Sequence, residues 1–145
     1  MRSVAAARRP RTYLLARVPL FAGLSRSQLA RVASVAEERA QREGHVVVEA
    51  GDPGSAFYVI VSGRVKVVKG RRAEAELGPG DFFGELALLD GEARTRTVIA
   101  LTPLETIKIE RPAFRGLLRK DPNLAMALLE GMARRTRKIL DSPSQ

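Results

Sequence analysis

No cysteine occurs in the 145 residues, so neither a disulfide framework nor a thiolate metal site can be built. That composition suits a reducing compartment, and a cytoplasmic location is the expectation. Histidine is almost as scarce. His45 stands alone, which excludes the histidine clusters on which jelly-roll metal enzymes depend and leaves it as the opening residue of a strand. The hydroxyls of Ser25, Ser34, Ser55 and Ser62 have no histidine in a recognisable motif to activate them, and they fit caps and turns instead. No catalytic machinery is in view, and an enzyme is not expected. No apolar run approaches the ~20 residues of a spanning helix. The N-terminus carries arginines around a short alanine stretch where a secretory signal would have an apolar core, so no membrane role is expected. Acidic residues are missing from the first 36 positions, which hold seven arginines. The formal charge of +9 is therefore concentrated there, and the remainder, with 18 basic and 16 acidic groups, is nearly neutral.

What is present suffices for one domain with one core: 45% of the residues are hydrophobic. Residues 1–17 read as a basic flexible leader, because MRSVAAARRPRT has no periodicity and contains a proline. The domain is placed at residues 18–141. Ser25 is an N-cap residue type, and Leu29, Val32, Ala33 and Ala36 recur at helical spacing after it, predicting a helix that ends near Gly44. From His45 the period changes to two, with Gly, Pro and Asp at short intervals. HVVVEA, FYVIV, RVKVV, the hairpin VKGRRAEAEL, and the two halves of VIALTPLETIKIE read as strands, with Ser62-Gly63 predicted to close a hairpin between FYVIV and RVKVV. Strands every eight to twelve residues predict an α+β fold: an antiparallel, jelly-roll-like β-roll of about eight strands with an N-terminal helix. Two C-terminal helices follow, a short one opening at Pro112 and a long one from Pro122 to Leu140. Arg134, Arg135, Arg137 and Lys138 near the end of the long helix read as a solvated, dipole-compatible helix end.

The stretch FFGELALLDGEARTRTV, residues 82–98, carries the chemistry. Gly84 lets a ligand approach the backbone, and ELALL favours a short helix whose free N–H groups attract an anion. Arg94 can return through the turn Asp90-Gly91-Glu92-Ala93 and grip the same anion with its planar fork. Glu85 would repel a phosphate, but an ionised carboxylate accepts hydrogen bonds from sugar hydroxyls. A phosphate attached to ribose presents both faces. Asp90 and Glu92 read as solvated loop charges. The competing expectation is a plain salt bridge between Glu85 and Arg94.

With these motifs the chain, from about Val18 to Ile139, resembles the cyclic nucleotide-binding domains shared by catabolite activator type transcription factors, kinase regulatory subunits and cyclic nucleotide gated channels. VPLFAGLS, EAGDPGSAFYVIVSGRVKV, LGPGDFFGELALL, the RTRTV arginine and the FRGLL helix carry the resemblance. It implies cAMP or cGMP as a regulatory ligand and a phosphate-binding cassette at residues 83–97. Glu85 would then hold the ribose 2′-hydroxyl and Arg94 the cyclic phosphate. Phe83, Gly84, Leu86 and Ala87 would border the sugar and phosphate, and Thr95 would donate to the phosphate or the base. Val65, Leu77 and Phe82 would wall the base, and Met132, Arg135 or Ile139 would cap it from the long helix. Three positions depart from the family pattern: Ala93 stands where a proline is common, Arg96 where a small residue is usual, and Ile139-Leu140 where adenine-reading members carry hydroxyls. Arg96 is expected to point outward. The resemblance implies a regulatory module that repositions its C-terminal helices toward a partner protein or a second copy through the last helix. Nothing follows Gln145 to form a helix-turn-helix, so sequence-specific DNA reading is not expected. The alternative is a ligand-free or degenerate interaction module that binds nucleic acid weakly through its basic ends.

Overall fold

The computed structural model describes residues 10–142. Eight strands form two four-stranded antiparallel sheets: β1 (Ala36–Gln41), β8 (Leu104–Glu110), β3 (Ala56–Ser62) and β6 (Phe82–Phe83) in one, and β2 (Val46–Val48), β7 (Thr97–Ala100), β4 (Val65–Lys69) and β5 (Arg72–Leu77) in the other, each in that spatial order. The expected β-roll is present, with helices α1 (Arg11–Ala16), α2 (Arg26–Ser34), α3 (Ala87–Asp90), α4 (Arg111–Lys120) and α5 (Pro122–Asp141) around it. Strand β3 explains the unbroken apolar run AFYVIV. Phe57 and Val59 face the helices, Ile60 faces the second sheet, and both faces are covered.

Two apolar clusters follow from this layering. The larger lies between the first sheet and the helices and includes Leu15, Val18, Phe21, Phe57, Leu88, Ile109, Phe114 and Leu124. The smaller fills the roll with Ile60, Val65, Val98, Ala100 and Leu104. Phe21 bridges three parts of the larger cluster, its ring centroid 5.9 Å from those of both Phe57 and Phe114.

Three expectations need correction. The leader does not extend to residue 17: Arg11–Ala16 is helical, Leu14 and Leu15 are buried, and Arg11 donates to Ala33 O and Ala36 O at 3.2 and 2.9 Å. A cation at the exposed carbonyls of a helix C-terminus is well placed, and this contact docks the segment where α2 ends. Residues 1–9 lie outside the described residues. The helix after Ser25 stops at Ser34 and not near Gly44, because residues 36–41 leave the helix to pair with β8 as an edge strand. Its beginning is as read, with Ser25 and Gln28 forming a reciprocal capping box. Finally, Ser62-Gly63 does not close a hairpin: β3 and β4 belong to different sheets, and the chain crosses between them there. Gly63 takes φ +95° at this corner, and a Cβ would lie 2.3 Å from Pro103 O. The hairpin between β4 and β5 is present, with Lys69 opposite Arg72 across a two-residue turn. The long helix begins as expected at Pro122, where Asp121 accepts from Leu124 N at 3.1 Å and pairs with Arg31 of α2. Those two bonds hold the Asp121 carboxyl below its usual range.

Candidate functional site

A cleft of about 410 Å³ opens between the second sheet and the segment joining β6 to β7. That is within the ~300–1,000 Å³ of ordinary small-molecule sites. Its floor is apolar, from Val48, Val67 and Val98, and its other wall runs from Phe82 to Ala87 and from Glu92 to Arg96.

Local structure sets this wall. Gly84 has φ +87°, and a Cβ there would come 2.3 Å from Arg94 Nη1 and 2.9 Å from Ala56 O, so glycine is required twice over, by conformation and by space. One helical turn follows, α3, ended by Gly91 in the left-handed region. Ahead of that turn, the amides of Glu85 and Leu86 have no acceptor among the described residues. The GDPG turn braces the other end. Arg94 N donates to Asp52 O and Gly51 N to Arg94 O, both at 2.8 Å, and a Cβ on Gly54 would lie 2.1 Å from Glu92 O.

Glu85 and Arg94 meet the cleft as unpaired opposites. They form no ion pair with each other, which removes the competing salt-bridge expectation. Glu85 Oε2 accepts from Leu20 N at 2.9 Å, reaching a single turn of 3-10 helix at Pro19–Phe21. Burial raises the carboxyl above its usual range, offset in part by that hydrogen bond and by the charge of Arg135. Arg94 donates through Nη2 to Ala56 O. Burial lowers its guanidinium from the usual range, with Tyr58 and Asp52 acting the other way. Glu85 makes one hydrogen bond and has room for several; Arg94 makes one with five N–H groups. Each is a partly buried charge with unused bonding capacity at the edge of one cleft.

The profile of the cyclic nucleotide-binding domain matches residues 38–121. The chain belongs to the cyclic nucleotide-binding domain family. It is 33% identical over 132 residues to the CRP-like cAMP-activated global transcriptional regulator of Mycobacterium tuberculosis, covering 86% of this chain and 58% of the regulator. It is 38% identical over 111 residues to a cGMP-dependent protein kinase of Caenorhabditis briggsae, covering 72% of this chain and 15% of the kinase. The chain thus spans well under two thirds of the length of either relative. The crystal structure of the N-terminal domain of a transcriptional regulator from Streptomyces coelicolor superposes with TM-score 0.81 at 34% identity, over 91% of this chain and 98% of that one.

Within this cyclic nucleotide-binding domain, the structure brings eight of the expected site residues to the cleft: Phe82, Phe83, Gly84, Glu85, Leu86, Ala87, Arg94 and Thr95. Five do not line it. Val65 is fully buried in the smaller cluster and Leu77 packs against that cluster. The cleft is lined instead by Val67 and Val98, which pair with each other two residues along from the Val65–Ala100 pair. Alternation identifies the face of a strand but not the depth at which a cleft meets it. Met132 packs against the larger core, Ile139 is 74% exposed, and Arg135 reaches the site only through its charge on Glu85. The expected cap over the base from the long helix is therefore not seen; α5 instead packs on α4 and on the turn at Pro19–Phe21, where Arg134 lies over Gly23. Arg96 borders the cleft with its side chain 42% exposed, bonded to Glu74 and Thr95. Two further arginines were not foreseen. Arg111 and Arg115 of α4 both donate to Leu89 O, at 3.2 and 3.3 Å, tying the single turn of α3 to α4. No helix among the described residues is long and apolar enough to span a membrane, and no group of metal-ligating side chains occurs among them.

Proposed function

We propose that the cleft binds a cyclic mononucleotide, cAMP or cGMP, and that binding is transmitted to the C-terminal helices. The observation that carries this is the pair of partly buried, mutually unpaired opposite charges beside free amides. Arg94 and the Glu85 and Leu86 amides suit the anionic phosphodiester, and Glu85 suits the 2′-hydroxyl, while Val48, Val67 and Val98 offer a flat apolar surface to a base. A carboxylate destabilised by burial gains most from a new hydroxyl donor.

The transmission has two routes. Glu85 holds Leu20 N–H through Oε2 and has its other oxygen open to the sugar, so a ribose hydroxyl bound there is joined through one carboxylate to the 3-10 turn against which α5 rests. A phosphate that draws the cassette inward moves α3, and through Leu89 O it moves Arg111 and Arg115 of α4. Both are shifts in population between packings of the helices. The output goes to a partner on the outer face of α5. Met126, Leu129, Ala133, Thr136 and Leu140 recur there at alternating spacings of three and four, and Met126, Leu129 and Leu140 are 56%, 60% and 77% exposed. That is the seam of a two-helix coiled coil, and a second copy of the chain fits it. Leu129→Glu is expected to convert a dimer to a monomer in sedimentation. An unchanged mass would remove the self-pairing seam.

The deciding experiment is calorimetric titration of the purified, nucleotide-stripped protein with cAMP, cGMP and a cyclic dinucleotide. Saturable heat with a mononucleotide is expected. Glu85→Ala should weaken the ribose nucleotide about tenfold or more and its 2′-deoxy analogue far less, the loss of one charge-assisted hydrogen bond. Equal losses would remove the hydroxyl role. No heat and no thermal shift with any of the three, together with salt-sensitive DNA binding, would favour the weak nucleic-acid reading instead.

A further inference from the structure

Strand β5 is an edge strand, paired only with β4, and its register slips at one place: Val67 is opposite Ala75, but Val68 is opposite Ala73. Glu74 is the extra residue of this bulge. A bulge breaks the strict alternation of faces and re-aims a side chain. Here it brings Glu74 to Arg96, whose Nε donates to Glu74 Oε1 at 2.7 Å across the intervening strand β4. Arg96 Nη1 donates to the Thr95 hydroxyl at 2.9 Å. The two side chains of the pair are 42% and 31% exposed. The hydrogen bond from Arg96 lowers the Glu74 carboxyl against the opposing effect of desolvation, and the charges of Arg96, Lys69 and Arg72 add to the lowering. The guanidinium is thus fixed at the border of the cleft, on the side of Val67 and Val98 that faces a base, and its Nη2 hydrogens have no acceptor among the described residues. It sits two residues beyond Arg94, roughly 7 Å along an extended chain, so one arginine addresses the phosphate end of the cleft and the other lies beyond it.

We propose that Arg96, anchored by Glu74, is a specificity residue that selects guanine over adenine in this cleft; this rests on the cyclic nucleotide reading of the same site. A guanidinium can only donate. Guanine presents two adjacent acceptors, O6 and N7, which match the fork of an arginine, whereas adenine replaces O6 with an amino donor that faces the same N–H groups unfavourably. Glu74 contributes by holding the fork in place, which reduces the ordering lost on contact with the base.

The test is a parallel titration of the full chain and its Arg96→Ala and Glu74→Gln variants with cGMP, cIMP and cAMP. Hypoxanthine keeps O6 and N7 but lacks the 2-amino group, so cIMP separates this contact from one made by Thr95 to that group. The expected result is that cGMP and cIMP bind the parent at least tenfold more tightly than cAMP. Arg96→Ala should erase that difference by weakening cGMP and cIMP about tenfold while cAMP changes less than twofold, and Glu74→Gln should erase part of it. Retained cAMP binding also shows that the variant is folded. Preference for cAMP in the parent, or an equal loss for all three nucleotides in Arg96→Ala, overturns the proposal while leaving the cyclic nucleotide site intact. Absence of binding by every nucleotide to the parent overturns both.

Discussion

Arg94→Ala is expected to reduce affinity for cyclic mononucleotides by a factor between ten and several hundred, with little change in thermal stability. A charge-assisted hydrogen bond contributes about 1.5–3 kcal/mol, and a bidentate one more. Each 1.4 kcal/mol is about tenfold in dissociation constant. Little else in the cleft takes over the charge. The amides of Glu85 and Leu86 remain, but they are neutral donors, and Arg96 is held by Glu74. Stability should hold because the arginine contributes one hydrogen bond, to Ala56 O, while its burial opposes its own charge. Those two effects have opposite sign. Arg94→Lys should recover only part of the affinity, since an ammonium cannot fork and the Gly84 backbone is shaped around a planar group. Calorimetry and thermal unfolding on the same samples give both readings. Unchanged titrations of cAMP and cGMP would show that the phosphate sits elsewhere.

How far the sequence disclosed this site depended on whether a residue's role is local. FGE, the turn at Asp90-Gly91 and the returning arginine act within 15 positions, and the structure brings Gly84, Glu85 and Arg94 to one cleft as that spacing predicts. The N-cap at Ser25 is equally local and equally legible. Strand β1 was not. AEERAQ buries only Ala36 and lies at the edge of its sheet, so it carries neither an apolar alternation nor turn residues at the right places, and helical periodicity from Leu29 to Ala36 simply ran on into it. Helix α1 was hidden for a related reason. Leu14 and Leu15 are too few to show a period, and what docks them is Arg11 at the end of α2, a contact between residues 22 and 25 positions apart. The same limit applied to Glu85. Its hydrogen bond to Leu20 spans 65 positions and exists only once the roll has closed. The bond from Arg96 to Glu74 was not legible either, because it depends on a bulge in another strand, which no pattern in RTRTV reports.

Phe114→Ala is expected to destabilise the fold by about 3–5 kcal/mol, the usual range for deleting a fully buried aromatic ring. Against a total of roughly 5–15 kcal/mol that is a large fraction, and for a domain of this size it corresponds to a fall in Tm on the order of 10 °C. The position matters beyond its volume. Phe114 on α4 touches Phe21 in the 3-10 turn, Phe21 touches Phe57 on β3, and Phe57 lies 6.1 Å from Phe82 on β6, immediately ahead of the cassette. The rings join the C-terminal helices to the wall of the cleft through one continuous packed path, so a cavity at one end loosens the support of the other. Saturating nucleotide should stabilise the parent by about 2.7 kcal/mol at a hundredfold excess over Kd, since ligand binds the folded form alone, and the variant by less if the loosened cleft binds more weakly. The conservative Phe114→Leu keeps most of the volume and should lose far less, separating packing from the mere presence of a substitution. Thermal unfolding with and without nucleotide makes the comparison. A loss below 1 kcal/mol in the alanine variant would mean that α4 does not seal the core at this point, and the proposed coupling from the cleft to the helices would have to run through Leu89 and the two arginines alone.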